Sequence, residues 1–122
     1  MTPSKPEEGE GTADKKREAL AGRVLTVNDL VQYQDGTVAS RMLVFKKTGT
    51  ITLFAFDAGE GLSEHSAPFD AVLSVTDGIA DVAIAGEWFM VKSGEMIILP
   101  ANKPHAISAK ERFKMTLTMI RE

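Results

Sequence analysis

The feature that most limits what this chain can fold into is a succession of short β-rich runs, each closed by a turn. No stretch of ten residues carries a helical period. Residues 40–45, 50–56, 71–75, 79–84, 88–91, 96–99 and 113–120 are rich in Val, Ile, Leu, Phe, Thr and Met, and 24–27 reads as a further strand. Between the runs stand Asp35-Gly36, Thr48-Gly49, Asp77-Gly78, Ala85-Gly86, Ser93-Gly94 and the Pro100 to Pro104 segment, all suited to chain reversal. Short strands at regular spacing with glycine-bearing turns predict an all-β sandwich or barrel.

At 122 residues there is room for one such core. It is expected over residues 20–122. Residues 1–19 carry two prolines, two glycines and mixed charges, with too little apolar surface to offset the entropy of ordering. They are expected to form a disordered polar tail.

Composition narrows the function classes. The sequence has no cysteine, which removes disulfides, thiolate metal sites and cysteine nucleophiles. A net charge of −3, with basic residues scattered among acids, gives no electrostatic case for nucleic acid. There is no apolar run of membrane-spanning length, and residues 1–19 lack the apolar character of a secretory signal, so a cytoplasmic location is expected.

Alternation assigns the faces of the last strand. Phe113, Met115, Leu117 and Met119 share one side and are expected to face inward, with Lys114, Thr116 and Thr118 opposite. Trp88 follows a turn and reads as a packing residue.

Imidazole chemistry must come from the only two histidines, His65 and His105. His65 follows Gly59 after five residues, and Gly78 lies thirteen residues beyond it; Gly94, Pro100 and His105 form a second group. In this spacing the sequence resembles the cupin family. The first cupin motif is glycine, five residues, His-x-His, three or four residues, glutamate, six residues and glycine. The second is glycine, five residues, Pro-x-Gly, two residues, histidine, three residues and asparagine. The resemblance covers about residues 40–120 and implies a double-stranded β-helix barrel of the RmlC-like kind.

Departures from the motifs fall on the chemistry. Ala67 and Ala71 occupy the places of the second histidine and the glutamate, Asn102 that of a glycine, and Ala109 that of the final asparagine. Of four family metal ligands, His65 and His105 remain, which implies at most a weakly held divalent Zn, Fe, Mn or Ni. Glu64 and Asp70 are an odd number of residues from positions 65, 67 and 71 and are expected to face away unless a bulge intervenes.

The two alanines make the pocket larger and more apolar. Phe69, Leu73, Val75, Ile107, Met115 and Leu117 are the candidate ligand-binding wall. Three readings follow: a module that binds a small organic ligand at the two histidines; a metal-dependent dioxygenase or isomerase; or a metal-free isomerase or epimerase using histidine acid–base chemistry. Analogy with small cupins also implies a homodimer, with an arm around residues 24–33 adding a strand to the partner's sheet or forming an edge strand of its own.

Overall fold

A computed structural model of the protein describes Arg17 and residues 19–121. The tail expected over residues 1–19 lies outside the described residues, Arg17 and Ala19 apart. Nine strands follow in chain order: β1 (Val38–Lys46), β2 (Gly49–Phe56), β3 (Gly61–His65), β4 (Ala71–Asp77), β5 (Ile79–Ile84), β6 (Glu87–Lys92), β7 (Met96–Leu99), β8 (His105–Ser108) and β9 (Phe113–Ile120). They form a five-stranded sheet in the order β1-β2-β9-β4-β7 and a four-stranded sheet in the order β3-β8-β5-β6. Consecutive strands from β2 to β6 cross from one sheet to the other and back, except at the β5–β6 hairpin, and the two faces enclose one core. This is the double-stranded β-helix.

Local chemistry sets the reversals. At the β5–β6 hairpin Ala85 and Gly86 both take positive φ, 51° and 86°, as a two-residue turn between right-twisted strands requires. Gly78 joins β4 to β5 at φ 78°, and a Cβ there would stand 2.5 Å from the carbonyl oxygen of Arg112. Only glycine meets both demands.

Alternation places the core. Phe56 and Phe113 stack at 4.4 Å between ring centroids, and Leu73, Val75 and Met115 pack with Ala80, Val82, Val91, Ile107 and Ala109 from the other sheet. Leu117 and Met119 join the edge of this cluster, so the inward row expected in β9 is present.

The opposite face of β9 is also covered. Lys114 is only 7% exposed, because residues 28–33 lie over it. Its Nζ donates to the carbonyl of Asn28 at 2.6 Å and stands 4.8 Å from the centre of the Tyr33 ring. The Tyr33 hydroxyl donates to Asp77, and Asn28 Nδ2 donates to the carbonyl of Thr76 at 2.9 Å. Val31 packs with Leu53 and Ala55 in a second, smaller cluster. The strand expected at 24–27 is therefore absent: Val24–Thr26 are irregular, and Val27–Asp29 form one 3-10 turn in an arm laid across the sheet.

Arg112 ties the same end of the barrel together. It bonds Asp35 at 2.6 Å and Asp57 at 2.8 Å, and its guanidinium lies over the Tyr33 ring, 5.3 Å from the centroid. Hydrogen bonds from Arg112 and from the amides of Gly36 and Ala58 hold the Asp57 carboxyl down at about 2.

Candidate functional site

His65 closes β3 and His105 opens β8, and the two are direct partners in the ladder. From Leu62↔Ile107 to His65↔His105, β3 advances three residues where β8 advances two. This bulge, at Ser63-Glu64, returns His65 to the side that Leu62 uses although the two are an odd number apart. The imidazoles meet edge to face with centroids 4.5 Å apart.

Each ring has a distinct setting. His65 is exposed, and its Nδ1 donates to the carbonyl of Ser63 at 3.0 Å, leaving Nε2 free to accept when the ring is neutral. His105 is 8% exposed, and its buried Nδ1 has no well-formed hydrogen bond among the described residues, the ring making only a weak contact with the backbone of Lys103. Burial, with the neighbouring His65 adding to it, pushes the His105 pKa down, while the backbone of Lys103 acts against the shift. The shift favours the uncharged imidazole.

The loops around the pair are fixed by backbone bonds. Asn102 takes the left-handed conformation at φ 66°, in the place of the motif glycine, and its amide donates to the carbonyl of Ala67 at 2.7 Å. Asp70 Oδ1 accepts from the amide of Ala101 at 2.8 Å, so this carboxylate serves a turn. Ala109, in place of the motif asparagine, is buried and exchanges backbone hydrogen bonds with Gly59 and Glu60.

A polar residue in the opposite sheet completes this end of the barrel. Thr50 pairs with Met119, and Met119 with Ala71, so all three present side chains to the interior at the level where β3 ends and β8 begins. Thr50 is 2% exposed, and its buried Oγ1 has no hydrogen-bond partner among the described residues. Sequence reading passed over Thr50 because threonine is ordinary in strands. The available signal was its place in the alternating row Thr50, Thr52, Phe54 and Phe56, whose later members are core.

A cupin-domain family model matches residues 52–121. The chain belongs to the cupin family. Among solved structures it is similar to a conserved protein of unknown function from Streptococcus pyogenes, at 34% identity over 83% of this chain and 89% of that one, TM-score 0.79. A cupin 2 conserved barrel domain protein from Leptotrichia buccalis is 40% identical over 79% of this chain and 47% of that one, TM-score 0.77. A cupin superfamily protein from Desulfitobacterium hafniense is 28% identical over 83% and 93% of the respective chains, TM-score 0.79. No curated protein matches.

The donor set of this cupin does not fit a metal centre of the family type. Ala67 and Ala71 offer no ligand atom, Asp70 is engaged with a backbone amide, and Glu64 is exposed in the bulge. No three His, Asp or Glu side chains among the described residues come close enough together to hold an ion. Two imidazoles fall short of the three protein ligands of catalytic zinc and lack the carboxylate of an iron facial triad.

The candidate wall residues are divided by the structure. Leu73, Val75, Ile107 and Met115 lie in the packed core, and Leu117 packs against it half-buried. Phe69 sits in the loop before β4, half-buried, with the Arg121 guanidinium 5.6 Å above its ring. Trp88 is not a packing residue: it is exposed on edge strand β6, beside an open groove of about 450 Å³ lined by Phe89, Met90, Val91, Glu95, Met96 and Ile97.

Proposed function

We propose that this cupin binds a small organic ligand at the end of the barrel that carries His65 and His105. The observation that supports the reading is a pair of buried polar atoms, His105 Nδ1 and Thr50 Oγ1, on facing sheets, neither with a well-formed hydrogen bond among the described residues. A buried polar group left unpaired costs about 1–3 kcal/mol, so two of them in one region favour a ligand that supplies their hydrogen bonds. Ala67 and Ala71 are smaller and less polar than the residues the family motif places there. The ligand chemistry that fits is an uncharged or singly charged molecule with hydroxyl or carbonyl groups on an apolar frame.

A second reading has support of its own. An imidazole held neutral at pH 7 is in the state required of a general base, so metal-free proton transfer by His105, as in isomerisation or epimerisation, accords with its depressed pKa. A metal-dependent oxygenase or isomerase lacks the ligands.

The test is a fragment screen on the full chain by NMR, reading the imidazole resonances, together with metal analysis of freshly purified protein. The expected result is hydroxyl- or carbonyl-bearing fragments that shift both histidines and lose at least tenfold in affinity in Thr50→Val and His105→Phe. Stoichiometric zinc, iron, manganese or nickel in the purified protein, or fragments that bind without touching either histidine, would overturn it.

A further inference from the structure

A second cavity lies at the other end of the barrel, on the outer face of the four-stranded sheet. It is lined by Gly78, Ile79, Asp81, Met90, Lys110, Glu111 and Arg112 and encloses about 260 Å³. Asp81 pairs with Met90 and Ser108, while its neighbours Ala80 and Val82 point into the core, so its carboxylate faces outward into this cavity.

The electrostatics of the cavity are unbalanced. The Asp81 side chain is only 16% exposed, yet its one ionic partner among the described residues is Lys110, at 3.6 Å, whose own side chain is 84% exposed. Charge-assisted hydrogen bonds run at about 2.7–2.9 Å, so this contact leaves the carboxylate's acceptor sites largely unfilled. Arg112 also lines the cavity, but its Nε and Nη2 are directed to Asp57 and Asp35, and among the described residues it forms no ion pair with Asp81. Glu111 adds a second acid to the rim. Lys92, opposite Ile79 in the ladder, lies outside the lining.

We infer that this cavity is a binding site for a small primary ammonium ion with a short apolar arm. The ammonium takes the place of the Lys110 amine on Asp81, and the arm lies on Ile79 and the Met90 thioether, both exposed on this face. A volume just under the usual range of about 300–1,000 Å³ for ligand pockets sizes the guest to a small amine. The site lies apart from the histidines: His105 opens β8 opposite Ile84, at the end of β5 away from Ile79, and His65 pairs with His105.

The experiment is an amide NMR titration of the full chain with n-butylammonium and, separately, with butyrate. Butylammonium is expected to shift the amides of Gly78, Ile79, Asp81 and residues 110–112. Asp81→Asn should weaken it at least tenfold. Lys110→Ala, a change at a solvent-facing side chain, should strengthen it several-fold by removing the internal competitor. Weaker binding in Lys110→Ala, tighter binding of butyrate than of butylammonium, or shifts confined to other parts of the barrel would each overturn the assignment.

Discussion

At the scale of single residues, His105 makes stability depend on pH in a direction its surroundings fix. Its folded-state pKa lies below the value of about 6.5 that it has in the unfolded chain. Between those two values the unfolded chain binds the proton and the folded one does not, so stability rises with pH across that window and is lost as pH falls below about 6.5. Urea denaturation between pH 7.5 and 5 should show this slope, and His105→Gln should flatten it. An unchanged slope would mean that the imidazole is not held neutral by burial. The residues also show what a sequence can disclose: Gly78, Asn102 and the two histidines are legible because each meets a backbone or chemical demand that few residues satisfy. Thr50 was not legible, since nothing in a strand's composition says that one inward hydroxyl lacks a partner.

At the scale of elements, the arm over residues 28–33 is what separates this barrel from a plain two-sheet sandwich. Its hold on the sheet is mainly polar, through Lys114, Asn28, Tyr33 and Asp77, with Val31 adding apolar contact. Burial and the Asp77 carboxylate raise the Tyr33 phenol above its ordinary range, so the hydroxyl stays a donor at any working pH. Lys114→Ala removes the donor to the buried carbonyl of Asn28 and should cost about 1–3 kcal/mol in urea unfolding. It should also speed proteolytic cutting within residues 24–33, while the β-sheet spectrum is kept. Equal stability and equal cutting would show that the arm is held by its apolar contacts alone. Seven of the nine strands were readable because alternation and turn residues agree; β3 and β8, short and set among turn residues, carry too few apolar side chains to stand out. The arm was misread as a strand because its Val-Leu-Thr-Val run has β-type composition, yet the segment finds a sheet face to cover and no sheet edge to join.

At the scale of the whole molecule, the two sheets act as a rigid frame that sets His105 beside His65, a distant residue in sequence, with Ala67 and Ala71 following His65 closely along the chain. In the cupin motifs these positions carry four donors; here the frame stays while two donors are replaced by alanine. On the proposed function, the family's ligand positions are kept while half of the ligand set is gone. Because the frame is already folded, restored side chains would meet an ion with little further ordering entropy, at some cost in overpacking. Isothermal titration of the Ala67→His, Ala71→Glu double variant with zinc, beside the natural protein and each single variant, tests this most directly. The account predicts a gain in affinity on the order of 100-fold, about 2.8 kcal/mol, with each single change giving less and the β-sheet spectrum intact. A folded double variant that binds zinc no better than the natural protein would contradict it, because the four positions would then not share a site.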